Sequence, residues 1–136
     1  MALLLDTCAV LWISENAPLA SPAVEAIDKA QDDGDPLLLS PITAWEIGLL
    51  VSSSRLALPA LPQAWFDKIL RAPNVKLTDL SAHVLLASSF LPGTPPRDPA
   101  DKIIIATARD QDLTIITRDR HILSYGKAGH VLALAC

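Results

Sequence analysis

The chain has 136 residues, of which 51% are hydrophobic and 19% are charged, and its formal net charge at pH 7 is −4. This length suits one compact domain, and the apolar content excludes an intrinsically disordered or fibrous protein. The negative charge argues against nonspecific nucleic-acid binding through overall charge alone, so any phosphate substrate must be held by a local group of residues.

The apolar runs are too short to cross a membrane. Asp6, Glu46 and several prolines interrupt them well before the roughly 20 residues that a membrane helix needs. No basic segment precedes the first apolar run, which argues against a signal peptide. Cys8 and Cys136 lie at opposite ends of the chain and form no zinc-binding pattern. We therefore expect a cytoplasmic protein with one domain over residues 1–136.

Short apolar runs alternate with helical patterns along the chain. Residues 2–5, 37–39, 113–117 and 131–135 predict strands buried on both faces, and residues 75–77 predict a fifth strand. Strands that alternate with helices are typical of a parallel sheet covered on both sides. The sequence therefore predicts an α/β fold with about five strands.

Three pairs of residues predict helix starts, because each places a capping residue directly before a proline at the first helical position. These pairs are Ser21-Pro22, Ser40-Pro41 and Asp98-Pro99. Helical periodicity is found in residues 21–31, 41–51, 61–70, 81–91 and 99–109. Residues 52–62 and the proline-rich segment 91–96 are predicted to be loops.

Two acidic residues follow predicted strands. Asp6 comes directly after the first strand, and Asp119 comes two residues after the end of the apolar run 113–117. Because the carboxyl ends of parallel strands form the edge where ligands bind, both are candidates for a functional site. The alternative is that each caps a helix or a turn.

Two further acids lie on apolar faces of predicted helices. A buried, unpaired carboxylate costs several kcal/mol, so Glu46 needs a cation or must be protonated, unless it reaches water at the edge of the apolar face. Asp101 alternatively belongs to a capping box with Asp98, which is itself best explained as a helix cap. The apolar neighbours are Ile42, Leu49 and Leu50 for Glu46 and Ile104, Ile105 and Ala108 for Asp101.

If these four acids converge, their charges repel one another and require a divalent cation. Oxygen ligands without histidine or cysteine select Mg²⁺ or Mn²⁺, which also bind phosphate groups of substrates. Basic residues flank the acids and are candidates for contacts with phosphate oxygens, or else are ordinary solvated charges. These residues are Arg97, Lys102, Arg118 and Arg120.

Four segments together resemble the PIN (PilT N-terminus) domain, and in particular its VapC-type toxins. They are Leu-Leu-Asp-Thr at 4–7, Ser-Pro-Ile-Thr-Ala-Trp-Glu-Ile at 40–47, Arg-Asp-Pro-Ala-Asp-Lys-Ile-Ile-Ile-Ala-Thr-Ala at 97–108, and Thr-Arg-Asp at 117–119. The resemblance spans nearly the whole chain. One departure is Pro96, which stands where the family usually has a histidine.

The resemblance implies a role for each matching residue. Asp6, Glu46, Asp101 and Asp119 match the acidic quartet of the family, which is both catalytic and metal-binding. Thr7 and Thr117 match hydroxyl positions that support the metal or its water, and Asp98 matches a frequent additional acid.

The resemblance also implies a fold, an activity and partners. The fold is a three-layer α/β/α sandwich with a five-stranded parallel sheet. The activity is a Mg²⁺- or Mn²⁺-dependent endoribonuclease that hydrolyses phosphodiester bonds of RNA with a metal-activated water. The partners are a second copy of the chain, as a homodimer, and a cognate antitoxin of a type II module.

Two other functions remain open at this point. A receiver-like signalling domain also gathers acids around Mg²⁺, but it would have adjacent acids after the first strand, where this chain has Asp6 and Thr7. A PIN-fold binding module without turnover would act through its partner alone.

Other features of the chain have two interpretations. Residues 56–70, with Trp65 and Phe66, are either a hydrophobic groove for an antitoxin helix or dimer partner, or part of the core. His83, His121 and His130 have no metal-ligand spacing and are expected to be surface or packing residues.

Overall fold

Five short strands form the centre of the protein, in a computed structural model that describes residues 2–136. The strands are β1 (Leu3–Leu5), β2 (Leu37–Leu39), β3 (Val75–Leu77), β4 (Thr114–Thr117) and β5 (Leu132–Ala135). They make one parallel sheet in the order β3-β2-β1-β4-β5. The predicted parallel sheet of about five strands is therefore confirmed.

Residues 2–136 contain seven helices. They are α1 (Thr7–Ser14), α2 (Ser21–Asp32), α3 (Pro41–Ser52), α4 (Pro62–Leu70), α5 (Ala82–Ser88), α6 (Pro99–Gln111) and α7 (Arg120–Lys127). The helix α7 was not among the predicted helices, although a helix cap was one interpretation of Asp119. No helix in this part of the chain is long and apolar enough to span a membrane.

Alternating side chains of β1 divide the core into two clusters, because successive residues of a strand point to opposite faces of the sheet. Leu3 and Leu5 belong to a cluster with buried residues of α1 to α4. Leu4 belongs to a second cluster with buried residues of α6 and α7. Helices thus cover both faces of the sheet, which confirms the three-layer α/β/α arrangement.

The strands at the margins of the sheet are less buried than predicted. We expected residues 131–135 to be buried on both faces, but β5 is an edge strand and its Leu132 is 57% exposed. The expectation was wrong because the helical layers cover the centre of the sheet more completely than its edges. The hydrophobicity of an apolar run does not show whether the strand lies at the centre or at the edge of the sheet.

Two of the three predicted helix starts are confirmed. The Ser40 hydroxyl accepts the Ile42 N–H at 3.1 Å, and Asp98 Oδ1 accepts the Ala100 N–H at 2.8 Å. The prediction for Ser21 was wrong, since Ser21 is itself the first residue of α2 and the cap position falls on Ala20, which makes no side-chain hydrogen bond. Pro22 is tolerated one position later because the second helical N–H also lacks a partner within the helix.

The sheet order fixes where ligands can bind. β1 lies between β2 and β4, so the chain leaves β1 toward one side of the sheet and reaches β4 on the other side. A crevice forms at the carboxyl ends of two such strands. Asp6 directly follows β1, and Asp119 follows β4 by two residues.

Candidate active site

Asp6 is held rigidly at the end of β1. It is 4% exposed, its Oδ1 accepts the Ala9 N–H at 2.8 Å as the cap of α1, and its Oδ2 accepts a short hydrogen bond from the Thr117 hydroxyl. Burial raises the pKa of Asp6, the hydrogen bonds from Thr117 and Ala9 oppose this effect, and the charge of Asp119 adds to it. Asp6 thus caps a helix and is also a carboxyl group whose ionised form is disfavoured by burial.

Thr117 connects the two acids at the strand ends. It is fully buried, and while its hydroxyl donates to Asp6, the hydroxyl oxygen accepts the Asp119 N–H at 2.9 Å. Asp119 then caps α7, with its Oδ1 accepting the N–H groups of His121 at 2.8 Å and Ile122 at 3.0 Å. The ends of β1 and β4 are therefore joined through one threonine.

Glu46 reaches the site from α3. Its Oε1 accepts a hydrogen bond from the Thr7 hydroxyl at 2.5 Å, and that hydroxyl lies 3.2 Å from the Thr43 hydroxyl. Burial is the main cause of a raised pKa at Glu46; the hydrogen bond from Thr7 opposes the rise, and the charges of Asp98 and Asp6 increase it. Thr7 therefore supports a carboxylate from a second helix.

The surroundings of Glu46 differ from the prediction. The buried positions of α3 are Thr43 and Ile47, whereas Leu49 is 48% exposed, so Glu46 does not lie within a buried apolar stripe. It is instead half-buried beside the start of α1. The sequence analysis missed Thr43, although its position three residues before Glu46 places both on one helix face.

Asp101 lies on the first turn of α6, with Ile104 and Ile105 buried on the same helix as predicted. Its N–H is 3.3 Å from Asp98 Oδ1, but its carboxylate has no hydrogen bond within residues 2–136. Burial raises the pKa of Asp101 from 3.8 to about 7, and the charges of Asp98, Asp119, Glu46 and Asp6 add to this. The fold therefore disfavours the ionised form of Asp101 by a large shift in its pKa.

The pKa of the Cys8 thiol indicates that the four acids lie near one another. Desolvation, followed by the charges of all four acids, raises its pKa from 9.0 to about 11. The acids that act on it are Asp6, Glu46, Asp101 and Asp119.

No side-chain cation neutralises this group. In the part of the chain that the structure describes, no lysine, arginine or histidine nitrogen lies within 4.0 Å of any of the four carboxylates. Several oxygens also lack a hydrogen-bond donor from residues 2–136. They are both carboxylate oxygens of Asp101, Oδ2 of Asp119 and Oε2 of Glu46.

These oxygen atoms are suitable ligands for a hard divalent cation. Mg²⁺ and Mn²⁺ prefer carboxylate and hydroxyl oxygens, whereas Zn²⁺ favours nitrogen and sulphur. Among residues 2–136, no three histidine, cysteine, aspartate or glutamate side chains already have the arrangement of a metal-binding group. The acids are thus electrostatically coupled, and sharing one ion requires their side chains to move toward each other.

The predicted phosphate-binding residues separate into two groups. Arg97, Lys102 and Arg120 make no ion pair with another described residue, and Arg97 lies beside Asp98 and Asp101. Arg118 has contacts within the fold. Its guanidinium donates to the carbonyls of Cys136 and Pro18, each at 2.6 Å, and stacks 3.3 Å from the centre of the Trp12 ring. These two hydrogen bonds use only part of the donors of the guanidinium, so its contact with phosphate stays a prediction.

Two cavities adjoin the acids. One of about 720 Å³ is bounded by Asp98 and Asp101, and one of about 310 Å³ is bounded by Glu46 and the exposed Trp45. The larger cavity also has residues that the sequence analysis did not connect with the site. They are Thr94, His121, Ser124, Tyr125 and His130.

The aromatic residues of the segment 56–70 pack in the core, and a cavity opens beside them. Trp65 is only 8% exposed and belongs to the cluster on one face of the sheet, and Phe66 packs against that cluster. Trp65 and Ile69 also line an apolar cavity of about 360 Å³ together with residues of α1. The structure therefore shows core packing at the aromatic residues and leaves the groove open as an interpretation of this segment.

Comparison with known proteins identifies related sequences and folds. The family model described as the PIN domain matches residues 3–128. The chain is 30% identical to Ribonuclease VapC22 from Mycobacterium tuberculosis over 123 residues, which cover 90% of each protein. Two solved structures are similar in fold along nearly the entire chain.

The first is VapBC2 from Rickettsia felis bound to a DNA fragment from its promoter, with a TM-score of 0.68 and 15% identity over 99% of this chain and 98% of that one. The second is FitAcB from Neisseria gonorrhoeae, with a TM-score of 0.57 and 21% identity over 97% and 96%. At these identities, the two structures support the fold alone.

Proposed function

This chain belongs to the PIN domain family, and on that premise we propose that it is a VapC-type endoribonuclease, the toxin of a type II VapBC-type toxin–antitoxin module. The observation that carries the proposal is the group of four coupled carboxylates at the carboxyl ends of β1 and β4, without a side-chain cation to neutralise it. Such a group costs stability in the isolated protein, and a divalent cation removes this cost.

Asp6, Glu46, Asp101 and Asp119 are the residues that would hold Mg²⁺ or Mn²⁺. When bound, the ion supplies a water molecule of lowered pKa and neutralises charge on the phosphodiester. Asp6 has the most fixed position, because both of its oxygens accept hydrogen bonds from the protein. Asp101 has none of these bonds and is the most adaptable ligand.

Three supporting residues orient the ligands. Thr7 donates to Glu46, and Thr117 donates to Asp6 while accepting from the backbone of Asp119. Asp98 caps α6 and thereby fixes the helix turn that carries Asp101. Residues that orient metal ligands in this way commonly change metal affinity by about 10- to 100-fold when replaced.

Basic residues near the acids would hold the RNA backbone. Arg97 is exposed beside Asp98, Arg120 is exposed at the start of α7, and Lys102 is half-buried on α6. Their charges are available for phosphate oxygens, since none is engaged in an ion pair with another described residue.

The proposal extends to partners and location. The solved structures of similar fold include VapBC2 and FitAcB. By likeness to the first of these, we propose a cognate antitoxin for this chain. We also propose a homodimer and a cytoplasmic location, with the whole chain acting as one PIN domain over residues 1–136.

Cleavage of a structured RNA tests the activity. Purified protein is incubated with the RNA and Mn²⁺, with and without a chelator, beside the variants Asp6→Asn and Asp67→Asn. We expect the chelator and Asp6→Asn each to reduce cleavage by at least about 100-fold. Asp67→Asn, a matched change at an exposed residue of α4, should retain the wild-type rate.

Cleavage that persists in the chelator, or full activity of Asp6→Asn, would contradict the proposal. Growth arrest on expression separates catalysis from binding alone. If the protein is a nuclease, expression of the wild type should arrest growth and expression of Asp6→Asn should not. Equal growth arrest by the two proteins would identify a binding module without turnover.

A further inference from the structure

The larger cavity beside the acids is continuous with the proposed cleavage site. It lies between the segment of residues 93–98 and α7, and its volume is about 720 Å³. Asp98 and Asp101 form one end of it. Anything bound in this cavity is therefore next to the phosphodiester held by the acids.

One wall of the cavity is rigid. The ring of His130 lies against that of Tyr125, with centroids 4.8 Å apart, and the Arg109 guanidinium donates a short hydrogen bond to the His130 carbonyl. The Tyr125 hydroxyl donates to the Pro92 carbonyl at 2.5 Å. A Cβ atom at Gly93 would lie 2.6 Å from His130 Nε2, so glycine at this position leaves room for the Nε2 end of the imidazole.

The remaining lining is mixed, since Pro95, Pro96 and Ala128 are apolar and the other side chains are polar. Arg97 and His121 supply nitrogen donors, and Thr94 and Ser124 supply hydroxyl groups that can both donate and accept. This combination suits a phosphate together with the edge of a base. Protein sites for single-stranded RNA bind unstacked bases against aromatic or histidine rings and hydrogen-bond to their edges.

We propose that this cavity binds the RNA nucleotide adjoining the scissile phosphate and sets the base preference of cleavage. The base packs against His130, the hydroxyls of Thr94 and Ser124 contact its edge, and Arg97 contacts its phosphate. The proposal rests on the proposed nuclease function for the identity of the substrate. It gives a role to His130, which the sequence predicted to be a surface or packing residue.

The size of the cavity is compatible with a single nucleotide. Its volume falls within the range of about 300–1,000 Å³ that is common for small-molecule sites. The chain has 3 tryptophans, 1 tyrosine and 2 phenylalanines, so it offers few surfaces on which several bases could stack. Recognition of a single nucleotide is consistent with this composition.

Direct binding of small probes tests the cavity without relying on catalysis. The four nucleoside 5′-monophosphates and inorganic phosphate are titrated separately into the full chain in Mg²⁺. Affinities are measured by calorimetry, and the side-chain signals of His121 and His130 are followed by NMR. We expect at least one nucleotide to bind about tenfold more tightly than phosphate and to shift both histidine signals.

A bulky substitution provides the matched comparison. Ser124→Trp fills the cavity from an exposed position of α7, and Ser89→Trp makes the same change at an exposed residue that does not line the cavity. Ser124→Trp should weaken nucleotide binding by about tenfold and change the base found next to the cleaved bond. Ser89→Trp should leave both unchanged.

The outcomes separate this proposal from the nuclease proposal. Nucleotide binding that Ser124→Trp weakens supports the cavity even if no RNA is cleaved. Unchanged base preference in an active Ser124→Trp variant would overturn the cavity while leaving the nuclease intact. Equal affinity for phosphate and all four nucleotides, or an effect of Ser124→Trp on antitoxin binding alone, would also overturn it.

Discussion

Hydroxyl groups, rather than cationic side chains, stabilise the acids of this site. Thr7 donates to Glu46, and Thr117 donates to Asp6. A hydroxyl holds a carboxylate in place without cancelling its charge. Burial raises the pKa values of Asp6, Glu46 and Asp101 above their ordinary ranges, and the hydroxyl hydrogen bonds oppose this rise at Asp6 and Glu46. A bound cation would favour the ionised form of these acids, which burial disfavours.

Replacing Asp101 by asparagine should stabilise the protein when no divalent cation is present. The pKa of Asp101 is raised from 3.8 to about 7, so the folded state binds this proton more tightly than the unfolded state. The contribution of Asp101 to stability is thus fully present below its unfolded pKa and is lost as the pH rises through about 7. In EDTA, Asp101→Asn should raise the free energy of unfolding more at pH 8 than at pH 5.

Urea unfolding at both pH values measures this difference. Asp67→Asn, at an exposed position, serves as the control for removing one negative charge. Added Mn²⁺ should stabilise the wild type more than Asp101→Asn, because only the wild type retains the full set of ligands. A loss of stability in Asp101→Asn at pH 8 in EDTA would contradict the electrostatic argument.

Three helices begin at acids of the site. Asp6 caps α1, Asp98 caps α6 and Asp119 caps α7. The start of a helix carries partial positive charge from its unpaired N–H groups, which favours a nearby carboxylate. The helices thus position the acids and partly offset the repulsion among them. Each of these residues therefore has a structural role as a helix cap beside its proposed role in the site.

Two substitutions of Asp119 separate capping from charge. Serine is a good cap without charge, whereas alanine is neither a cap nor a charge. Asp119→Ala should be less stable than Asp119→Ser by about 1 kcal/mol, because only alanine leaves the first turn of α7 without an acceptor. Both variants should lose RNA cleavage.

Unfolding curves and cleavage assays on the two proteins provide this comparison. Recovery of cleavage in Asp119→Ser would mean that Asp119 acts only as a helix cap. In that case, the metal-binding role proposed for it would have to be abandoned.

The loop before α6 depends on one glycine. Gly93 has φ of +68°, a conformation that costs other residues about 1 kcal/mol or more, and an added Cβ would also meet the fixed ring of His130 at 2.6 Å. Gly34 has φ of +73° with nothing within 4 Å of such a Cβ. Gly34→Ala is therefore destabilised only by the unfavourable backbone conformation.

Gly93→Ala should accordingly destabilise the protein more than Gly34→Ala, by about 1–3 kcal/mol from overpacking. Denaturant unfolding of both variants measures the difference. Equal losses would show that His130 can move aside, which would weaken the description of a rigid cavity wall.

At the scale of the whole molecule, Arg118 joins distant parts of the chain. Its guanidinium binds the carbonyl of Cys136 at the last residue and that of Pro18 after α1, and it stacks on Trp12. Because β5 precedes Cys136 directly, this contact holds the edge of the sheet to α1. These contacts of Arg118 stabilise the fold.

Arg118→Lys should lower stability without affecting catalysis. Lysine cannot reproduce the planar fork of arginine, so at least one carbonyl contact and the ring stacking are lost, at a cost of about 1–2 kcal/mol. The kcat and the KM for RNA should both stay within about twofold of wild type. A raised KM with unchanged stability would instead restore Arg118 as a phosphate contact.

The sequence was sufficient for the elements at the centre of the fold. The apolar runs of β1, β2 and β4 and the caps Ser40 and Asp98 follow from local patterns that act within a few residues. It was insufficient at Ser21, where the same pattern of serine and proline is shifted by one position, and at β5, whose exposure depends on its place at the sheet edge.

What the sequence by itself determined is the alternation of strands and helices, because hydrophobic spacing is a local property, and it also supplied the four candidate acids. Tertiary structure alone decided which groups meet those acids. Thr43, Cys8 and His130 are near the site, and Arg118 is committed to Cys136, through contacts between residues far apart in the chain. Such contacts depend on how the sheet orders its strands, and a local pattern carries no information about that order.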